Sequence, residues 1–538
     1  MDERSASGMV VAPHPAASEA GVAALRAGGN AVDAAVAANA VLAVVYGNAC
    51  GIGGDAFALI WWPPERRLHA YNGSGRSPAG LTIEHVRAEG HASMPARGPL
   101  PITVPGCVDA WAAMLDRFGR RSLADAVLTA ADLADDGYEL TGITANAIAR
   151  SADLFDEAAR AVFLPAGRAP EPGHRLRQPL LAATLRGVAA GGREAFYRGE
   201  IGVEIARAVQ AAGGVLSGDD LAAHRGDWVE PVSTEYRGVR VATTPPNSQG
   251  ITALIALNVL AALRADGWPG LPADSPLAAD APLDPERLHA QLEAIKVAWS
   301  ERDRCVTDPD RAICDTAALL TWDHAARLAA RLDRRRAGRF LPTDQLGGGT
   351  VYLTAADAEG CMVSLIESNY MGFGSGVMGG STGVMLQNRG AYFRLDPGDP
   401  NHLAPRARTL HTLMPAMLLR DGEPWISLGA MGGDGQPQTL VQLVNALVDD
   451  GLEPQAAVDR PRFVAEVEAP GRPLRDVAIE ADGAGDEALV ALAGRGHRAR
   501  LVEPRTPLMG WAQVIRREPD GSYVGGADPR ADSAAVAL

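Results

Sequence analysis

The chain has 538 residues and a formal net charge of −15, which argues against a basic stripe for nucleic-acid phosphates and against attraction to an anionic membrane surface. Its 47 % hydrophobic and 21 % charged content is an ordinary globular mixture, so no disordered or fibrous class is needed. The five cysteines (Cys50, Cys107, Cys305, Cys314 and Cys361) show no CxxC or Cys/His pair at zinc spacing and read as reduced core residues.

The opening MDERSASGMVV has no basic region followed by a long apolar one, and the apolar stretch 34–46 is too short to span a bilayer. The expectation is a soluble, cytoplasmic protein. Residues 18–46 predict two helices, the first capped by Ser18 and ended by Gly28 and Gly29, the second capped by Asn30. GIGGD (51–55) turns the chain into FALIWW (57–62), an apolar strand. Residues 104–240 alternate helical patterns with Gly- and Pro-marked turns, and EAIKVAWSERDR (293–304) predicts an amphipathic helix holding Lys296, the only lysine. Residues 264–286 and 333–349 read as linkers, the second running from arginines into a triple glycine.

After the glycines the pattern becomes β-rich. TVYLTAA (350–356) and CMVSLIES (361–368) predict strands joined by the hairpin turn DAEG (357–360), which sets Thr350 across from Ser368 to within about one residue. GVMLQN (383–388) predicts a third strand.

Three segments offer chemistry. In GGGT (347–350), Thr350 could become a new chain terminus whose α-amine serves as its own base, if the chain cuts itself after Gly349. Taken alone, a flexible linker entering a strand is the simpler account. GAMGGDGQPQ (429–438) could present successive glycine N–H groups to an oxyanion, or could be only a turn. GGSTG (379–383) matches GxSxG around Ser381, but no strand leads into it. GIGGDA (51–56) fits a dinucleotide pattern on paper, with helix and strand in the reverse of the required order.

The order of several segments decides between these accounts. GMVVAPHPAASEAGVAALRAGGNAVDAAVAANAVLAVV (8–45), GIGGDAFAL (51–59), PITVPGCVDAW (101–111), PPNSQG (245–250), EAIKVAWSERDRCVTDP (293–309), GTVYLTAADAEG (349–360), SNYMGFGSG (368–376), QNRGAYF (387–393), GAMGGDGQPQ (429–438) and GGADPR (525–530) resemble the γ-glutamyltranspeptidase family, in the family's order, over nearly the whole chain. SNYMGFGSG and QNRG are most similar to its cephalosporin-acylase-like and oxamate-amidohydrolase-like branch.

The resemblance implies an α+β fold, the four-layer αββα sandwich of Ntn hydrolases with helical elaborations. It implies self-cleavage into residues 1–349 and 350–538, which stay associated as one αββα domain and could pair into a homodimer. The expected partner is a small-molecule amide, with no nucleic acid, no membrane, no cofactor and no metal. Residue by residue, it makes Thr350 the nucleophile, Ser368 the hydroxyl that orients it, and Gly432 and Gly433 the oxyanion hole. Thr412 falls on one of two adjacent carboxylate-binding serines, with His411 at the other.

Five further positions depart from the family pattern. Tyr370, Arg389 and Tyr392 stand where an Asn, a Gln and an Asp hold the glutamyl ammonium and carboxylate. Ser74 stands where a carboxylate-binding Arg is expected, with Arg76 two residues away as a substitute. Gly349 replaces the Asp that precedes the nucleophile in many relatives, and the segment after Phe393 is too short for a lid loop. A desolvated ammonium needs an anionic or carbonyl partner, whereas an arginine binds a carboxylate bidentately. The expected substrate is therefore the amide of a carboxylate-bearing acyl group: γ-glutamyl, glutaryl or oxamate-like. The alternatives are an unprocessed, inactive binding or scaffold protein and a Ser-His-Asp hydrolase using Ser381.

Overall fold

The computed structural model describes residues 3–271, 278, 281–340, 349–466 and 476–538. Gly347, Gly348 and parts of both linkers lie outside the described residues. Two seven-stranded sheets form the centre. The first runs Ala534–Ala537, Gly8–Ala12, Gly349–Asp357, Met362–Tyr370, Asp55–Trp62, Arg67–Asn72, Asp227–Val229. The second runs Glu3–Ser5, Tyr523–Ala527, Ala512–Arg517, Glu423–Ala430, Ala416–Arg420, Val239–Thr243, Val232–Tyr236.

Side-chain alternation assigns the layers. Met9, Val11, Leu59 and Trp61 of the first sheet pack against Met417, Leu419, Ile515 and Tyr523 of the second. The opposite face of the first sheet, with Val10, Ala58 and Ile60, buries the helices Pro15–Arg26, Ala31–Val45 and Cys107–Phe118. The opposite face of the second, with Val241, Leu418 and Ile426, buries Gly250–Ala265, Pro285–Cys305 and Gln436–Val444. The result is the expected αββα sandwich.

Local expectations hold unevenly. Asn30 caps Ala31–Val45 in a reciprocal capping box with Asp33. The first helix starts earlier than expected, at Pro15 with His14 as its cap, because proline is tolerated in the first turn. Ser18 is therefore inside that helix, its hydroxyl donating to the Ala534 carbonyl at 2.8 Å. The DAEG turn is closed by Asp357, whose Oδ1 accepts from the amides of Glu359 and Cys361 at 2.9 and 3.1 Å.

Three expectations are corrected. GVMLQN forms no strand: Gly383 takes φ +71°, and the Gln387 amide goes to the Gly53 carbonyl rather than to a ladder. The helix containing residues 293–304 is not amphipathic but buried on nearly every side, packed against Gly250–Ala265, Gln436–Val444 and Asp486–Gly494. Its His289 donates from Nε2 to the Asp333 carbonyl at 2.9 Å, which leaves Nδ1 to accept from His497 Nε2 at 2.8 Å. The cysteines are not all reduced: Cys305 and Cys314 form a disulfide, while Cys50, Cys107 and Cys361 are free and buried. Nine residues of sequence separation leave no periodic signal for such a pairing. Among the described residues no helix is long and apolar enough to cross a membrane.

Candidate active site

Thr350 is the second residue of strand Gly349–Asp357, paired antiparallel with Met362–Tyr370. The register is regular from Val351↔Glu367 onward and shifts at its start, where Gly349 faces Tyr370. This irregularity sets the Thr350 side chain against Ser368, and Thr350 Oγ1 donates to Ser368 Oγ at 3.2 Å. Ser368 Oγ in turn donates to the Gly349 carbonyl at 2.5 Å and accepts the Tyr370 N–H at 2.6 Å. A hydroxyl relay thus runs from Thr350 to the carbonyl of the peptide bond just before it. Thr350 and Ser368 are both buried, at 1 % and 0 % exposure.

The GIGGD turn packs under this pair. A Cβ on Gly54 would lie 2.3 Å from the Ser368 carbonyl, so only glycine lets the turn approach the strand this closely. The Gly51 N–H donates to both oxygens of Glu367, at 2.9 and 3.1 Å. Glu367 is fully buried, and desolvation pushes its carboxyl up to about 8 despite the Gly51 bond. The folded protein therefore binds this proton more tightly than the unfolded chain does. Its contribution to stability is present in full below the ordinary carboxylate range and is lost as pH rises toward about 8. Glu367→Gln should flatten that decline, making the variant's melting temperature less pH-dependent than wild type between pH 5 and 8. Parallel slopes in a thermal-shift series would refute this assignment.

Gly432 and Gly433 follow strand Glu423–Ala430 with φ of +142° and +55°, values that a side chain opposes. A short 3-10 turn, Gly433–Gly435, leads into helix Gln436–Val444. Among the described residues neither glycine N–H is spent on a hydrogen bond. The Gly432 carbonyl accepts from Gly435 N at 2.9 Å, and the Gly433 carbonyl accepts from Gln249 Nε2 at 2.9 Å. Asp434 pairs with the fully buried Arg302 at 2.6 Å.

Arg389, Tyr370, Tyr392 and Thr412 come together. The Arg389 guanidinium lies over the Tyr370 ring at 4.0 Å and 5.9 Å from the Tyr392 ring, and Nη1 donates to Thr412 Oγ1 at 3.1 Å. Arg389 is 1 % exposed, yet its Nε and Nη2 reach no acceptor among the described residues. Burial lowers its pKa, opposed by Tyr370 and by the charges of Asp55 and Asp434, neither of which forms an ion pair with it among the described residues. Burial followed by the Asp434 charge raises both phenols, so Tyr370 and Tyr392 stay neutral. Tyr370 itself holds φ +76°, an unfavourable conformation for a bulky residue that costs on the order of 1–3 kcal/mol. Such strain gathers at sites where the surroundings fix it, and here Arg97 donates to the Gly372 carbonyl at 2.7 Å just downstream.

The other candidates are placed elsewhere. His411 uses both ring nitrogens: Nε2 donates to Asp55 Oδ2 at 3.0 Å and Nδ1 accepts the Leu413 N–H at 3.2 Å. Burial, with Arg389 nearby, drives its pKa down to about 3, so it is neutral at physiological pH and offers no charge to a carboxylate. Arg76 points its guanidinium at Asp308 and Asp310, each at 3.3 Å. Ser74 donates to Asn72 Oδ1 at 2.6 Å. Ser381 is exposed and its hydroxyl donates to Glu204, a carboxylate where a triad requires an imidazole.

Sequence reasoning assigned no role to Gln249, Arg302, Asp434, Asp55 or Arg97. The first four lie inside segments that carried the resemblance, which is the signal that could have found them. Arg97 lies in a loop without any pattern.

The sequence profile described as Gamma-glutamyltranspeptidase matches residues 17–538. The chain belongs to the γ-glutamyltranspeptidase family. Within it, the chain is 39 % identical to a glutathione hydrolase-like proenzyme of Bacillus subtilis, covering 98 % of both chains. It is 36 % identical to an oxamate amidohydrolase proenzyme of Klebsiella pneumoniae, over 99 % of this chain and 98 % of that one. The crystal structure of a cephalosporin acylase from Bacillus halodurans superposes with a TM-score of 0.91 at 37 % identity, covering 100 % of this chain and 97 % of that one. The fold is thus that of the γ-glutamyltranspeptidase and acylase group, and the protein is an enzyme of this hydrolase and transferase family.

Proposed function

We propose that the chain is a self-cleaving N-terminal-threonine amidohydrolase acting on amides of small acyl groups that carry a carboxylate and need no α-amine. The observation that carries the substrate side is Arg389, a buried guanidinium whose Nε and Nη2 meet no acceptor among the described residues. A buried cation is costly unless paired, and a substrate carboxylate supplies the missing pair bidentately. Two neutral phenols beside it give a substrate ammonium no counter-charge.

Maturation uses the hydroxyl relay. Thr350 Oγ1 attacks the Gly349 carbonyl carbon while its proton passes to Ser368, whose own proton goes to the Gly349 oxygen. The C–N bond breaks as the proton on that oxygen passes to the leaving nitrogen, which leaves an ester on Thr350 and a free α-amine. Water then hydrolyses the ester, giving residues 1–349 and 350–538. In turnover the α-amine, with an ordinary pKa of about 7.7–8.0, takes the hydroxyl proton near neutral pH. Thr350 attacks the substrate amide, and the Gly432 and Gly433 N–H groups receive the oxyanion. The amine product leaves with a proton, and water or an acceptor amine releases the acyl group.

Denaturing mass spectrometry of purified protein together with a panel of anilides tests this reading. Two fragments split at Gly349–Thr350 and faster turnover of glutaryl than γ-glutamyl anilide support it. A single chain that turns over no glutaryl, oxamyl or γ-glutamyl amide would mark the protein as an inactive relative. A clear γ-glutamyl preference would overturn the assignment of Arg389.

A further inference from the structure

We infer that Gln249 is a positioning residue that locks the oxyanion turn to the substrate-binding segment; the inference rests on the proposed function and deepens it. Gln249 stands at the N-cap position of helix Gly250–Ala265, makes no capping bond with its side chain, and is fully buried, at 0 % exposure. Its Nε2 donates to two carbonyls, Thr412 at 3.0 Å and Gly433 at 2.9 Å, while its Oε1 accepts from Arg302 Nη1 at 2.9 Å. The amide orientation is unambiguous, because carbonyls only accept and a guanidinium only donates. Arg302 Nη1 also donates to Asp434 Oδ1 at 2.6 Å, so one side chain joins three elements around the turn.

Peptide geometry gives this arrangement its consequence. A trans peptide is planar, so fixing its carbonyl fixes the opposed N–H. The Gly432 carbonyl is held by Gly435 N, which aims the Gly433 N–H the other way. Gly433 itself sits at φ +55° with no side chain to restrain it, and its carbonyl, part of the next peptide, accepts the Gln436 N–H that closes the 3-10 turn. Gln249 Nε2 is a second donor to that carbonyl; it ties the exit of the turn that carries the Gly432 and Gly433 N–H groups to the Thr412 segment. The second carbonyl on Nε2 belongs to Thr412, whose hydroxyl accepts from Arg389. A continuous path therefore runs from the carboxylate-binding arginine through Thr412 and Gln249 to the turn that receives the oxyanion.

Self-cleavage supplies an internal control. In the intact chain the Gly349 carbonyl accepts from Ser368, not from the glycine turn. Loss of Gln249 should thus spare maturation and impair turnover.

The test is Gln249→Met, which keeps the side-chain length and removes donor and acceptor. The expected result is complete cutting at Gly349–Thr350, a melting temperature close to wild type, and KM for glutaryl anilide within about threefold. Turnover should fall about 10- to 100-fold, somewhat less than direct removal of an oxyanion donor costs. Gln249→Glu keeps the acceptor for Arg302 but sets an oxygen against two carbonyls, so it should fall at least as far. A cut Gln249→Met protein with kcat within twofold of wild type overturns the inference. So does wild-type turnover in Gln249→Glu, which would place the work on the Arg302 bond. Self-cleavage, melting temperature and kcat declining together would show a merely structural role. If the methionine variant does not fold, Gln249→Asn, too short to span both carbonyls, supplies the same readouts. A wild-type protein that neither cuts itself nor hydrolyses any of the anilides fails the proposed function, and this inference falls with it.

Discussion

Thr350→Ala should yield one intact 538-residue chain on a denaturing gel, where the wild type should yield two fragments. The hydroxyl that attacks the Gly349 carbonyl is gone, and no neighbouring group is placed to replace it: Ser368 Oγ already bonds that carbonyl oxygen rather than facing its carbon. Amidase activity should fall by at least about 10³-fold, because removing a nucleophile leaves only binding and electrostatic contributions. Thr350→Ser keeps a hydroxyl and should still cut. Ser368→Ala keeps the nucleophile but removes the relay, so cutting should slow by about 10²-fold, the lower end of what positioned proton transfer contributes. A Thr350→Ala protein that still splits at this bond would mean that a protease makes the cut.

Arg389→Met should lower kcat/KM for a glutaryl anilide by about 10²- to 10⁴-fold. The range follows from losing two hydrogen bonds to a charged group at about 1.5–3 kcal/mol each, with roughly 1.4 kcal/mol per factor of ten. The loss should be much smaller for an anilide whose acyl group has no distal carboxylate, which separates lost recognition from general damage. Arg389→Lys should recover only part of the activity. Its point charge lacks the planar fork, and it cannot both stack on Tyr370 and reach Thr412 as the guanidinium does. Equal losses for acyl groups with and without the carboxylate would reassign Arg389 to support of the pocket wall.

The two parts of the site were unequally readable from the sequence. Strand periodicity and the DAEG turn place Thr350 opposite Ser368, because a hairpin register is set by its turn and the turn chemistry is local. A continuous apolar run likewise predicts the strand over 57–62, found as Asp55–Trp62, and capping chemistry predicts the helix found as Ala31–Val45. The third strand fails because GVMLQN has the composition of a strand, whereas its backbone partners come from distant segments such as Gly53. His411 is the clearest case on the pocket side. The sequence offers it as a substrate contact, but both ring nitrogens are taken by Asp55 and the Leu413 amide, partners fixed only by the tertiary fold. The same holds for Arg76, whose partners lie more than two hundred residues away. The disulfide, the Gln249 bridge and the unpaired face of Arg389 are all products of long-range packing.

The alternation of strands has a consequence for how the enzyme recovers from damage. In the first sheet the strand Gly349–Asp357 lies between Gly8–Ala12 and Met362–Tyr370, and the latter pairs onward with Asp55–Trp62. In the second, four consecutive strands from beyond residue 349 are flanked on both sides by strands from before it. Under the proposed cut, the intact chain refolds as a unimolecular process, whereas the matured enzyme must bring two polypeptides together before either sheet can close. Regain of activity after chemical denaturation should then depend on protein concentration for the cut enzyme, while native structure returns independently of concentration in Thr350→Ala. Such a cut would set a temporal order: the chain threads its sheets once while continuous, and the active form would live on the kinetic stability of what was then assembled.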